Sequence, residues 1–132
     1  MLSRRGLLGI LAAVTVDADE RSEILEVIEP LAAALSASRV ESFMAVFAED
    51  MPDRDRLRDH ISALIAYAEM TSSIELVRLD NGRAELDWYM EIRARATASV
   101  VERRRGKVFV RVSSGKIREL KPVDFFRVPS SL

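Results

Sequence analysis

From Arg83 to Ala96 the chain reads R-A-E-L-D-W-Y-M-E-I-R-A-R-A, in which Leu86, Trp88, Met90 and Ile92 alternate with Glu85, Asp87, Tyr89, Glu91 and Arg93. Successive side chains of a strand point to opposite faces, so this period of two specifies a long strand with one buried face and one polar face. The rest of the chain must cover the apolar face and pair both edges. The chain before this strand reads mainly as helix, and the chain after it reads as further antiparallel strand.

Neighbouring strands are marked by composition and turns. Thr71 to Leu79 is β-rich, with Ile74, Leu76, Val77 and Leu79. Asp80-Asn81-Gly82 then forms a hairpin turn, because Asn and Gly tolerate positive φ. After a loop at Ala98 and Ser99, Val100 to Ser113 returns with Val108, Val110 and Val112 inward. Gly106 in mid-run suggests a bulge that shifts the facing phase. Ser113-Ser114-Gly115-Lys116 is the last hairpin, and Ile117 to Phe126 the last strand, with Pro122 placing it at an edge or a bulge.

Three helical segments come first. Asp19 to Ala37 carries Ile24, Leu25, Ile28, Leu31, Ala32 and Leu35 at helical spacing, with a kink or break expected at Pro30. Ser38-Arg39-Val40-Glu41 reads as a capping box opening a short helix with Val40, Phe43, Met44 and Phe47 on one side. Met51-Pro52 ends it. Asp53 or Asp55 caps a third helix whose apolar stripe is Leu57, Ile61, Leu64, Ile65 and Ala68.

Composition narrows the classes of function. The chain has 132 residues, enough for one domain, and its net charge of −1 exerts no general pull on nucleic acid or anionic membrane. It contains no cysteine, which removes disulfides, thiolate catalysis and thiolate metal sites. Met1 to Arg5 is a short basic start, followed by an uncharged run from Gly6 to Val16. That run of about eleven residues is half of what a spanning helix needs, so no stable membrane anchor is expected. Val16-Asp17-Ala18 offers a cleavage point after Ala18, and Ser3-Arg4-Arg5-Gly6-Leu7-Leu8 resembles the twin-arginine export pattern. Residues 1–18 are therefore expected to be an export signal, and residues 19–132 a single domain found in the periplasm or secreted.

Helices first and a curved antiparallel meander afterwards make an α+β layout. In these pieces the chain resembles the nuclear transport factor 2-like superfamily, including its ketosteroid-isomerase-like and polyketide-cyclase-like proteins. Leu31 to Asp50 is similar to the superfamily's two-helix opening, Arg56 to Ile65 to its third helix, and Lys116 to Phe126 to its final strand. The resemblance implies three helices packed on a bent sheet of about four strands. It implies a cone whose mouth admits a small molecule, and pairing of two copies through their sheets. Two departures accompany it. Ser114-Gly115-Lys116-Ile117 lacks the tryptophan common after the final hairpin. Only Met51 to Asp55 fills the gap where members usually carry a strand and loop, and where the isomerase-like enzymes hold their general base.

The candidate chemistry is thin. His60 is the single histidine and an acid or base near neutral pH. Tyr67 shares its helix flank, and Asp124 lies where the last strand leaves the cone. These three are the candidate proton carriers of an isomerase- or cyclase-like enzyme. Leu57, His60, Leu64, Tyr67, Trp88, Met90 and Val110 are the expected lining of a small apolar ligand site. Asp53, Asp55 and Asp59 do not fit a calcium loop, since Leu57 and Arg58 take the positions of a ligand and the obligatory Gly, and no metal or cofactor is expected. Arg103-Arg104-Arg105-Gly106-Lys107 lacks interleaved aromatics, so nucleic acid is not an expected partner. The inward rows Leu86, Trp88, Met90, Ile92 and Val108, Val110, Val112 hold no titratable group. That favours a non-catalytic domain binding an apolar ligand or an envelope protein, or an accessory module with a filled core, over an enzyme. The charged row containing Tyr89 is the expected homodimer face.

Overall fold

The computed structural model describes residues 18–132 with their side chains, so the expected export signal, up to residue 17, lies outside the residues so described. Helix α1 (Leu2–Ser36) is followed by α2 (Val40–Met44) and α3 (Arg54–Tyr67). Four strands come next, β1 (Ala68–Asp80), β2 (Arg83–Ala94), β3 (Val100–Ser113) and β4 (Lys116–Lys121), and a 3-10 turn η1 (Val123–Phe126) closes the order. The strands form one antiparallel sheet in the sequential order β1-β2-β3-β4. This is the α+β architecture expected, with three helices on a four-stranded meander.

β2 is the central element in fact as in pattern. Ala84, Leu86, Trp88, Met90 and Ile92 are at most 2% exposed, and the residues between them face the other side of the sheet. Both two-residue hairpin turns are built from positive φ, at Asn81 and Gly82 and again at Ser114 and Gly115. That mirror-image turn matches the right-handed twist of the paired strands. The Gly82 N–H also donates to the Glu20 carboxylate at 2.8 Å, which ties the first hairpin to α1.

α1 buries Ile24, Val27, Ile28, Leu31, Ala34 and Leu35 and packs on β1 and α2. It runs through Pro30 without the expected break. Pro30 and Glu26, whose carbonyl loses its donor, are both exposed residues, so the loss of that bond falls on the solvent side of the helix. The expected capping box does not form. Ser38 has φ 57° and closes α1 instead, its N–H bonding Leu35 O and the Arg39 N–H bonding Ala34 O. This left-handed closure of a helix C-terminus leaves the Ser38 hydroxyl free to accept from Arg95, while Glu41 pairs with Arg58 on α3. Asp53 does stand at the N-terminus of α3, but its side chain makes no capping bond.

The strands differ from expectation at three points. β1 begins at Ala68, directly after α3, rather than at Thr71. Gly106 pairs in register with Trp88, and the β2–β3 irregularity falls instead between Ile92 and Arg93. Gly106 is needed for a close approach: a Cβ there would lie 3.0 Å from the Phe125 ring. The last strand ends at Lys121, because Pro122 has no N–H to donate, and Val123–Phe126 turns back over the sheet.

Candidate functional site

The space between sheet and helices is where the sequence placed a ligand. Leu57, Ile61 and Leu64 recur at helical spacing along one face of α3 and are fully buried. Opposite them stand Trp88, Met90 and Val110 on the inner face of the sheet, at most 2% exposed. Phe43 and Phe47 enter from the α2 segment, and η1 inserts Phe125 and Phe126. The Phe126 ring meets Trp88 edge-on at 5.0 Å and Phe43 at 5.9 Å, and Phe125 lies 5.2 Å from Phe126. Such T-shaped contacts are the favoured geometry for aromatic quadrupoles. The Trp88 indole N–H is satisfied by the Ser72 hydroxyl across the strand pair, at 3.3 Å. Of the seven expected lining residues, Leu57, Leu64, Trp88, Met90 and Val110 thus converge in one aromatic core.

The candidate proton carriers divide. His60 and Asp124 come together, with Nε2 to Oδ1 at 3.4 Å, where α3 packs on η1. The same carboxylate oxygen also accepts from Arg56. The His60 hydrogen bond and the Arg56 charge hold the Asp124 carboxyl below its usual range. Such a pair could orient an imidazole for proton transfer. Here, however, Asp124 is 57% exposed and committed to an arginine, so water has open access and the group serves to bind η1 to α3. Tyr67 does not join them. It is the last residue of α3 and is 64% exposed, so it faces solvent rather than the cone.

Sequence reasoning missed the charged members of the inward face. Continuing inward from Val108 past an unbulged Gly106 places Arg104 and Glu102 on that face, opposite Met90 and Ile92. Arg104 is 8% exposed; its Nε donates to Glu102, and its Nη1 donates to the carbonyls of Phe125 and Arg127 at 2.6 and 2.7 Å. The Arg104 hydrogen bond lowers the Glu102 carboxyl pKa. The signal was present in the alternation, but reading Gly106 as a bulge shifted the phase and hid it.

The outer face of the sheet is a charge ladder. Acids on β2 pair with cations on β3, Glu91 with Arg103 at 3.4 Å, Asp87 with Arg105 at 2.8 Å, and Glu85 with Lys107 at 4.0 Å. Asp87 and Glu91 therefore point away from the core, as the alternation required. The basic run is neutralised by its neighbouring strand. Phe109, two residues beyond the run, also lies on this face, 47% exposed.

No protein-family profile matches the chain, and no curated protein matches it. Solved structures do. A Δ5-3-ketosteroid isomerase from Mycobacterium sp. superposes with a TM-score of 0.61 at 15% identity, covering 74% of this chain and 89% of that one. A putative polyketide cyclase from Xanthomonas campestris gives 0.57 at 15% identity, covering 76% and 89%. An uncharacterised cystatin-fold protein from Novosphingobium aromaticivorans gives 0.59 at 14% identity, covering 73% and 93%. Identities this low speak to architecture and not to activity. Helices first and a four-stranded meander after them thus give this chain the fold shared by these isomerase, cyclase and cystatin-fold structures.

Proposed function

We propose that this chain is an exported, non-catalytic accessory domain, in which the cone is a packed core and the outer face of the sheet is the working surface. The occupant of that surface is a second copy or an envelope protein. The observation that carries this reading is the insertion of Phe125 and Phe126 against Trp88 and Phe43, in the space a small ligand would need. The inward charges, Arg104 and Glu102, are paired with each other, and Arg104 Nη1 also bonds the backbone of the C-terminal segment, while Arg104 Nη2 is buried without a hydrogen-bond partner among the described residues. Export rests on the basic start and uncharged run of residues 1–16.

Trp88 is the only tryptophan and reports directly on the cone. Titrating the full domain with a steroid or an aryl hydrocarbon should leave its emission without any saturable change. A saturable shift in the wild-type protein would replace the packed-core reading with a ligand-binding one.

A further inference from the structure

The outer face changes character at its hairpin end. Two register shifts lie there, one between Leu76 and Arg78 on β1 and one where Arg111 and Val112 meet β4. In strict alternation from the buried Leu76, Arg78 would point into the core. The extra residue Val77 turns Arg78 outward opposite Glu85, and Leu79 takes the inward place opposite Ala84. On β4, Arg118 is the extra residue between Ile117 and Glu119. Bulges bend their strands and re-aim side chains. Between these two lies a depression of about 350 Å³, a volume in the range of small-molecule sites.

Its lining breaks two rules that the rest of the sheet obeys. Along the ladder, β3 cations face β2 acids, but here Arg111 is directly opposite Arg83, a like-charge juxtaposition that costs stability. Glu119 compensates Arg111 at 3.0 Å, whereas Arg83 and Arg78 make no ion pair within 4.0 Å among the described residues. Beside them Phe109 presents a half-exposed ring in a row otherwise given to cations, with Lys121 on its far side. Arg78, Arg83, Arg111 and Lys121 line the depression and outnumber its acids Asp80, Glu85 and Glu119. Beside an exposed aromatic ring such a lining is suited to a flat molecule with an acidic group, since arginine forks pair with carboxylate or phosphate and the ring offers a stacking surface.

We propose that this depression binds a small organic anion with a flat apolar body, its carboxylate or phosphate held by Arg83 with Arg78 and Arg111, and its body lying on Phe109. The inference requires the hairpin end of the outer face to stay uncovered by a protein partner, and does not rest on the cone being filled. The probes are 2-naphthoate, phenyl phosphate, inorganic phosphate and neutral 2-naphthalenemethanol, titrated against the domain while backbone amide shifts are tracked by NMR. Naphthoate and phenyl phosphate should shift amides around Arg83, Phe109 and Arg111 saturably, leaving those around Trp88 and Leu64 unmoved. Arg83→Gln should weaken both by about tenfold or more. Phe109→Ser should weaken the aryl anions and leave inorganic phosphate unchanged. Both positions are exposed, and an unchanged melting curve establishes that the variants fold. The proposal is overturned if neither aryl anion saturates, if the neutral alcohol binds as well as naphthoate, if inorganic phosphate binds as tightly as phenyl phosphate, or if Arg83→Gln has no effect. It is equally overturned if the shifts depend on protein concentration rather than ligand, which assigns the depression to a second copy. Shifts centred on Trp88 would instead count against the packed cone.

Discussion

Gly106 shows how one residue decides the closure of the cone. It occupies an ordinary paired position on β3, yet a Cβ there would come within 3.0 Å of the Phe125 ring. Phe125 is itself held between Trp88 and Phe126, so it has little room to yield. Two residues away, Arg104 fixes the same segment by bonding the carbonyls of Phe125 and Arg127. Glycine and arginine thus form a seat for η1, one by leaving space and the other by satisfying carbonyls at the end of a short turn. In an open strand Gly106→Ala would be neutral or stabilising, because alanine loses less backbone entropy. Here the overpacking dominates, and thermal unfolding should reveal a loss of about 1–3 kcal/mol. A melting temperature equal to or above that of the wild type would show that Phe125 is not seated against Gly106.

At the scale of elements, the paired strands make a prediction about pH. Arg105 lowers the Asp87 carboxyl, Arg111 lowers Glu119 and Arg104 lowers Glu102, in each case chiefly by hydrogen bonding. A carboxyl depressed in the folded state contributes stability above its unfolded pKa and loses it as pH falls through its folded value. Stability should therefore hold from neutrality to about pH 5 and decline through and below about pH 4. Exposure and salt screening reduce the share of the outer-face pairs, so the decline should be shallower in high salt. Chemical denaturation at stepped pH, with Asp87→Asn beside the wild type, checks the assignment. The variant should be less stable at neutral pH and lose less on acidification, and an unchanged acid limb would show that the Asp87–Arg105 pair does not contribute.

The same elements show what the sequence could and could not disclose. The alternation from Leu86 to Ile92, the Asn81-Gly82 turn and the stripe Leu57, Ile61 and Leu64 are local codes, and the molecule obeys each of them. Arg104, the Phe125–Phe126 insertion and the two arginines facing each other at Arg83 and Arg111 depend on register and on where the chain turns after Pro122. Those are tertiary facts. A glycine in a strand has two physical meanings, a bulge or a close approach, and only the position of Phe125 separates them. His60 and Asp124 were individually legible as polar residues near the mouth, and their meeting depends on η1 packing on α3. Tyr67 shared the flank of His60 on paper but faces solvent where α3 ends and β1 begins.

For the whole molecule the central claim is that the cone is solid. Phe125 and Phe126 are turned inward against Trp88 and Phe43. Xenon entering apolar cavities provides the most direct measurement, read through the methyl resonances of Leu57, Leu64 and Met90, which line the interior. Phe126→Ala, expected to cost about 3–5 kcal/mol, serves as the opened reference if it remains folded. Under xenon pressure the wild-type methyls should stay in place, while those of the variant shift saturably. Saturable shifts of the same methyls in the wild-type protein would contradict the packed cone and return the interior to the role of a ligand site.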